Sequence, residues 1–420
     1  MPPAASYAWL LDLLFSVPPA VTWAPAGRLP AGCELAGQFA VLPAGGSRAF
    51  LVSLASRRAA ASALTSYNAL RPARRRAERQ VLGLALLAGF AQPLLRHRID
   101  VGVASGTADT HRAVLLIGEH LAALFEVGQV VIACGGGTGP YRKPVLQVFS
   151  MRGAPLGYVK IGWNGWTRAA VRSEAAALRA CAESGSRLGV PALLHHGTWN
   201  GLELLVTAPL PGGVRRHPDS LPDASLLRAI SQVDPAGHSE LAASSWWAGL
   251  RGRVTAGVTD QAARGRLTRI ADGIERSRGD VRLEFGRWHG DLVPWNLARL
   301  GAATFAWDWE SSTAAAPVGF DALHFGFQVA FVARRTPLAR AAALAARQAQ
   351  PALTALAIPA SALDLLPLLH LLELAVRHEE ARSATGDADD RFFPEVLSLL
   401  ENSCLAVPGG PGPRAVDRAA

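Results

Sequence analysis

The sequence of 420 residues is poor in cysteine and contains no long uncharged apolar run. Its four cysteines lie far apart and form no Cys-x-x-Cys pair, which argues against a zinc site and a disulfide framework. No uncharged apolar stretch reaches the roughly 18 residues that a membrane-spanning helix needs. The apolar run at the N-terminus contains Asp12 and follows no basic segment, which argues against a signal peptide. We therefore expect a cytoplasmic protein.

Lysine is almost absent. Of the 42 basic residues only Lys143 and Lys160 are lysines, which leaves 42 − 2 = 40 arginines. This bias, together with abundant alanine and glycine, is typical of GC-rich coding sequences in which arginine replaces lysine. A lysine that persists in such a background is a candidate for a role that arginine cannot fill.

The charge balance suits a phosphate-bearing small ligand as well as it suits nucleic acid or anionic lipid. Basic residues exceed acidic ones by 42 − 33 = 9, but the excess is spread along the chain and its tightest cluster is Arg71–Arg76. Nucleic-acid and lipid surfaces are usually bound by denser basic patches. We expect a small-molecule partner and neither nucleic acid nor membrane, and the sequence leaves the oligomeric state open.

Length and composition predict more than one domain, because a single core rarely serves 420 residues of which 50% are hydrophobic. For residues 1–127 the sequence pattern predicts a mixed accessory region of unknown role. For residues 128–210 it predicts a small antiparallel sheet of five strands, with one helix after the third strand. Residues 211–405 predict a mostly helical domain, interrupted by an irregular segment at 285–310. The Pro/Gly-rich residues 406–420 predict a disordered tail.

The two lysines differ in their predicted positions. Lys160 lies on the third predicted strand of the small sheet, whereas Lys143 precedes the second strand and suits a loop. The helix after the third strand contains Glu174 near its middle and Glu183 near its end, where solvent is expected. Thr167 is the predicted N-cap of this helix.

The irregular segment carries the candidate chemistry. It contains Trp288-His-Gly-Asp-Leu-Val-Pro-Trp-Asn296 and then Phe305-Ala-Trp-Asp-Trp-Glu310. Asn296 and Asp308 offer the hard oxygen ligands that suit Mg²⁺. Asp291 is left to act as a base. Phosphoryl transfer needs this division, in which one carboxylate orients the attacking hydroxyl and metal-bound oxygens steady the phosphate charge.

The pattern His-Gly-Asp-x4-Asn, followed by an apolar strand that ends in Asp-Trp-Glu, resembles the aminoglycoside phosphotransferase and choline-kinase branch of the protein-kinase-like superfamily. The resemblance covers about residues 128–400. It implies a two-lobed α+β fold, with a small antiparallel-sheet lobe and a larger helical lobe, which here carries a mixed N-terminal extension. It also implies that ATP binds between the lobes with Mg²⁺ and that its γ-phosphate passes to a hydroxyl of a small molecule.

The resemblance assigns roles to individual residues. Asp291 matches the catalytic base, and Asn296 and Asp308 match the Mg²⁺ ligands. Lys160 matches the lysine that holds the α- and β-phosphates, with Glu174 as its ion-pair partner.

Further positions match supporting parts of the site. His289 and Asp321 match residues that hold the catalytic loop. The remaining contacts to ATP would come from Gly135, Gly136, Gly137, Ala208 and Leu210. The glycines serve equally well as a plain hairpin turn, and Pro209 removes one donor from the segment expected to contact adenine.

Two other functions remain open. A regulatory pseudokinase would bind ATP without turnover, although such a protein has no need of the base Asp291. Protein kinase activity is disfavoured, because Asp-Trp-Glu replaces Asp-Phe-Gly and no Ala-Pro-Glu segment follows. The acceptor is not identified: the net charge of +9 disfavours polycationic aminoglycosides, whereas the acidic residues Glu379, Glu380, Asp387, Asp389 and Asp390 keep them possible.

Overall fold

The computed structural model describes residues 5–42, 50–66, 70–71, 73–90, 95, 97–135, 139–186, 188–386 and 391–405. The tail predicted at 406–420 lies outside these residues. No helix of the described part is both long and apolar enough to cross a membrane. The predicted α+β class is confirmed, since a large antiparallel sheet is followed by a mainly helical region.

A nine-stranded antiparallel sheet dominates the first half of the chain. Its strands are β1 (Val21–Pro25), β2 (Cys33–Leu42), β3 (Phe50–Ser53), β4 (Arg98–Ala104), β5 (Val130–Gly135), β6 (Val145–Ser150), β7 (Pro155–Gly162), β8 (Leu193–Trp199) and β9 (Leu202–Thr207). Their order across the sheet is β1-β4-β2-β3-β5-β6-β7-β9-β8. The five strands predicted within 128–210 are therefore present as β5 to β9.

The sheet continues from these five strands into the N-terminal region. Strand β3 pairs with β5 in antiparallel register, with Leu51 opposite Cys134, and β1, β2 and β4 extend the sheet beyond it. The boundary at residue 127 therefore lies within a stretch of chain that supplies one sheet, and the accessory role of residues 1–127 remains a prediction.

Helices cover both faces of the sheet. They are α1 (Ala5–Phe15), α2 (Arg57–Thr65), α3 (Ala73–Ala88), α4 (Asp109–Leu115), α5 (Ile117–Leu124) and α6 (Gly165–Glu183). Alternate residues of β5 serve two separate cores: Ile132 packs in a cluster that includes α1 and α5, whereas Val131 packs in one that includes α2. Burial on both faces explains why β5 is apolar throughout instead of alternating.

Helix α6 begins before its predicted cap. The side-chain oxygen Oδ1 of Asn164 accepts the backbone N–H of Thr167 at 2.8 Å, and Oγ1 of Thr167 accepts the backbone N–H of Asn164 at 3.0 Å. This reciprocal pair is a capping box, in which the first residue is the N-cap. The prediction that Thr167 is the cap is therefore wrong.

By packing, the described residues form two compact units. The first comprises the described parts of Met1–Arg179, Gly189–His217 and Ala298–Phe305, and the second comprises those of Ala180–Leu188, Pro218–Leu297 and Ala306–Ala420. Two three-stranded sheets follow the large one, formed by β10 (Arg215–Arg216), β11 (Gly237–Glu240), β12 (Arg282–Trp288), β13 (Leu297–Leu300), β14 (Ala303–Ala306) and β15 (Thr313–Pro317). Their orders are β10-β13-β14 and β11-β12-β15.

The second unit is mainly helical. Its helices are α7 (Ala224–Ser231), α8 (Ser245–Gly257), α9 (Gln261–Arg278), α10 (Phe320–Gln328), α11 (Leu338–Ala355), α12 (Ala360–Leu363), α13 (Leu365–Thr385) and α14 (Phe392–Leu405). Strand β12 ends at the buried Trp288 and leads directly into the His-Gly-Asp loop.

Candidate active site

The His-Gly-Asp loop turns sharply at Gly290. This glycine has φ +86°, and a Cβ atom placed on it would lie 2.0 Å from the backbone oxygen of Ser311. A backbone atom cannot rotate away as a side chain can. The loop conformation therefore requires glycine at this position.

His289 is fully buried and joins three segments of backbone. Its backbone N–H donates to Oδ2 of Asp321 at 3.2 Å, and its Nδ1 accepts the N–H of Asp291 at 3.3 Å. Its Nε2 lies 3.1 Å from the carbonyl oxygen of Trp307, which can only accept. Burial lowers the pKa of His289 to about 4, so that the ring is neutral at pH 7. A neutral ring with Nε2–H satisfies all these contacts, which fits the predicted structural role.

Asp291 and Asn296 form a closed unit. The Nδ2 group of Asn296 donates both to the carbonyl oxygen of Asp291 at 3.0 Å and to its Oδ2 at 2.9 Å. Because the amide nitrogen is committed to Asp291, the amide oxygen of Asn296 is the atom that remains to bind a cation. Asn296 is 5% exposed, whereas the side chain of Asp291 is 37% exposed and accessible to a substrate.

Asp308 follows Trp307, whose backbone N–H and carbonyl oxygen are both hydrogen-bonded. The N–H of Trp307 donates to the carbonyl oxygen of Asn296 at 3.1 Å, while the carbonyl oxygen of Trp307 accepts from His289. Asp308 itself has φ +71° and ψ +53°, a left-handed conformation that residues other than glycine adopt infrequently, aspartate more often than most. Strain of this kind is often found at functional sites.

Asp321 lies at the start of α10 and contacts the backbone of the His-Gly-Asp loop. It is buried, and its carboxylate accepts the N–H of His289. Burial raises the pKa of Asp321 to about 7, although the backbone N–H groups of His289 and Gly290 and the charge of Arg377 oppose the rise. The predicted supporting aspartate is thus in direct contact with the loop.

Four supporting side chains were missed by the sequence analysis. His324 contacts Asp291, and His370 contacts His324. Arg377 reaches the carbonyl oxygen of Gly290 at 3.3 Å, stacks over Trp288 with its guanidinium carbon 4.0 Å from the ring centre, and pairs with the buried Glu373. These residues belong to α10 and α13, and no local motif marks those of α13.

Lys160 and Glu174 form a buried ion pair in the first unit. Lys160 lies on β7 and Glu174 on α6, and their Nζ and Oε2 atoms are 2.5 Å apart. The side chains are 18% and 4% exposed, so that both charges are largely removed from water. Glu183, the rival for this role, is exposed at the end of α6, and Lys143 lies outside the strands.

The structure describes some of the other residues that were predicted to contact ATP and leaves two of them outside its described ranges. Gly135 ends β5, where it pairs with Phe50 and Val145, whereas Gly136 and Gly137 lie outside the described residues. The N–H of Ala208 already donates to the carbonyl oxygen of Ala192 at 2.8 Å. It is therefore not available as a donor to adenine, in addition to the donor lost at Pro209.

No family model and no curated protein matches the chain. Solved structures that are similar to it include aminoglycoside phosphotransferase APH(4)-Ia in ternary complex with AMP-PNP and hygromycin B, at 12% identity and TM-score 0.48, over 70% of this chain and 99% of that chain. A putative fructosamine-3-kinase from Thermobifida fusca is similar at 16% identity and TM-score 0.43, over 69% and 99%. Choline kinase LicA from Streptococcus pneumoniae is similar at 10% identity and TM-score 0.39, over 65% and 90%.

Two of these proteins, an aminoglycoside phosphotransferase and a choline kinase, bear the names of the branch that the motif resembles. The identities and TM-scores are low.

Proposed function

We propose that the protein is an ATP-dependent phosphotransferase that transfers the γ-phosphate to a hydroxyl of a small molecule. The observation that carries this proposal is the double hydrogen bond from Asn296 to Asp291, which joins an accessible carboxylate to an amide whose oxygen is left for a cation. A base and a metal ligand fixed to each other in this way are what phosphoryl transfer requires.

Asp291 is the proposed base. Its carboxylate accepts the proton of the acceptor hydroxyl while the hydroxyl oxygen forms a bond to the γ-phosphorus. The bond between that phosphorus and the bridging oxygen of ADP breaks, and its electron pair stays on ADP. The exposure of Asp291 lets the proton pass on to water after transfer.

Asn296 and Asp308 are the proposed Mg²⁺ ligands. An amide oxygen and a carboxylate are oxygen donors of the kind that Mg²⁺ prefers. Because the Nδ2 group of Asn296 donates to Asp291, its amide oxygen is the atom left to bind the ion. When bound, Mg²⁺ would neutralise charge that develops on the transferred phosphate. The strained backbone at Asp308 supports a role for this residue beyond packing.

Lys160 is the proposed ligand of the α- and β-phosphates. Glu174 fixes its ammonium group, which keeps a compact positive charge at one place in a largely buried setting. Gly135 is proposed to approach the phosphates, while the carbonyl group of Ala208 and the backbone of Leu210 are proposed to contact adenine.

The acceptor is proposed to be a hydroxylated small molecule that does not depend on a strongly acidic pocket. Glu379 is buried and pairs with Arg382, and Glu380 pairs with Arg253. Asp387, Asp389 and Asp390 lie outside the described residues. The two described acidic groups are thus neutralised by arginine, which lowers the attraction that they offer to a polycation.

The test is an ATP-coupled screen of hydroxylated metabolites and antibiotics, with the wild-type protein and Asp291→Asn side by side. We expect turnover of an acceptor that falls about 10²–10⁴-fold in the variant, the usual range for a general base, with ATP affinity nearly unchanged. Asp291→Asn with wild-type turnover would refute the assignment of the base. Tight binding of ATP without turnover of any acceptor, or of water, would favour the regulatory pseudokinase instead.

A further inference from the structure

Two buried histidines continue the hydrogen bonds of Asp291 into the interior of the second unit. Nε2 of His324 lies 3.2 Å from Oδ1 of Asp291, and Nε2 of His370 lies 3.3 Å from Nδ1 of His324. Both rings are 2% exposed. The three groups come from separate parts of the chain, namely the His-Gly-Asp loop, α10 and α13, and are connected in series by these two contacts.

The chemistry of the groups fixes the direction of these hydrogen bonds. An ionised carboxylate only accepts, so Nε2 of His324 must donate to Asp291. When the ring of His324 is neutral, its other nitrogen, Nδ1, is an acceptor, and Nε2 of His370 donates to it. Burial lowers the pKa of His370 well below its usual value, with smaller contributions from His324 and Arg377, and keeps this second ring neutral.

We propose that His324 is a positioning residue for Asp291 and that His370 sets the tautomer of His324. The inference rests on the proposed function, because it assumes that Asp291 is the base. Asn296 holds one oxygen of the carboxylate and His324 holds the other. The carboxylate is thereby prevented from rotating, and its remaining lone pairs are presented to the acceptor hydroxyl in one orientation.

A plain packing role is the competing explanation. The two rings lie among aromatic side chains, since the ring of His324 is 6.0 Å from that of Trp288, and the ring of His370 is 5.7 Å from that of Phe320. Packing requires the volume of the rings but not their nitrogens. Variants that keep or remove the donor therefore separate the two explanations.

The first experiment reads the tautomers without any turnover. Ring ¹⁵N spectra of the full-length protein near pH 7, assigned by the signals lost in His324→Gln and His370→Phe, report which nitrogens carry protons. We expect both rings to be neutral with the proton on Nε2, and we expect His370→Phe to alter the tautomer of His324. A proton on Nδ1 of His324, or a doubly protonated ring, would overturn the proposed arrangement.

The second experiment measures phosphate release from Mg²⁺·ATP, with water in place of the acceptor. His324→Leu removes the donor and should lower kcat about ten- to hundredfold, the loss expected for a hydrogen bond to a charged group, with KM for ATP within about twofold. His324→Gln places an amide N–H at similar reach and should recover most of the rate. His370→Phe should lower kcat in the wild-type background and have no further effect when combined with His324→Leu.

Three outcomes distinguish this inference from the proposed function. If Asp291→Asn lowers phosphate release and His324→Leu does not, the positioning role is wrong and the base assignment stands. Equal losses in His324→Gln and His324→Leu would show that packing accounts for the effect. Phosphate release at the wild-type rate in Asp291→Asn would show that Asp291 is not the base. The positioning role would then be wrong as well, and the ring spectra would still test the hydrogen bonds of the two histidines. Thermal unfolding and ATP calorimetry of each variant exclude misfolding.

Discussion

Gly290→Ala gives the sharpest test of the loop geometry. An alanine would need φ near +86°, and its Cβ would lie 2.0 Å from the oxygen and 2.5 Å from the carbon of the Ser311 carbonyl group. The left-handed conformation costs about 1–2 kcal/mol for a residue with a Cβ. Relief of the overlap requires movement of backbone in a packed region, which typically costs about 1–3 kcal/mol more.

These contributions add to roughly 2–5 kcal/mol of lost stability. For a unit of this size each kcal/mol lowers Tm by roughly 2–4 °C, so we expect a decrease of about 4–20 °C. The effect on turnover should be larger, because Asp291 is the next residue. A displacement of about 1 Å at a catalytic group can cost about a hundredfold in rate.

The assay is thermal unfolding followed by circular dichroism, together with phosphate release from Mg²⁺·ATP. Gly249→Ala is the matched control: this glycine is exposed within α8 and has nothing within 4 Å of the added methyl group. In a helix alanine is favoured over glycine by about 1 kcal/mol, so the control should keep or raise Tm. A Gly290→Ala variant with wild-type Tm and turnover would refute the close contact with Ser311.

Three further predictions concern the nucleotide and the support of the loop. Lys160→Arg should lose most turnover although it keeps the charge, whereas Lys143→Arg should be nearly neutral; the reverse result would move the phosphate ligand to Lys143. ATP affinity measured by calorimetry should fall strongly when EDTA removes Mg²⁺, and equal affinity with and without the ion would contradict the roles of Asn296 and Asp308. Glu373→Gln should destabilise the protein by roughly 3–5 kcal/mol at neutral pH, because it removes the buried carboxylate that pairs with Arg377 and is one of the two that pair with Arg253. The exposed pair of Glu119, tested as Glu119→Gln, should contribute about 1 kcal/mol or less. Burial alone would raise the pKa of Glu373, but Arg377 and Arg253 outweigh burial and lower it, so the stability difference should persist above the unfolded pKa and vanish as the pH falls through the lower folded value.

The local parts of the site could be predicted from the sequence. The spacing of Asp291 and Asn296 is short, so that one loop fixes their contact without help from distant residues. The five strands and the helix between them have alternating or apolar patterns and were found within a few residues of their true bounds. The error at Thr167 arose because the cap was sought in one residue, whereas the Asn164-x-x-Thr167 pair holds the helix start from both sides.

The supporting residues could not be predicted, because their partners are distant in sequence. His324 is 33 residues from Asp291, and Arg377 is 87 residues from Gly290. Neither separation leaves a periodic pattern. The continuity of the sheet from β3 to β5 was missed for the same reason, since pairing between strands is a tertiary choice that apolar composition does not specify.

The distribution of these contacts has a consequence for mutation. Asp291 is held by its own loop through Asn296 and by α10 through His324, while the preceding carbonyl group is held by α13 through Arg377. Arg377 is in turn fixed by Glu373, which lies one turn earlier on α13 and also pairs with Arg253 of α8. Among the contacts of the described residues, a substitution at Arg253 reaches the loop through Glu373 and then Arg377. Its effect on turnover should therefore be smaller than that of Arg377, and should disappear once Arg377 is already replaced.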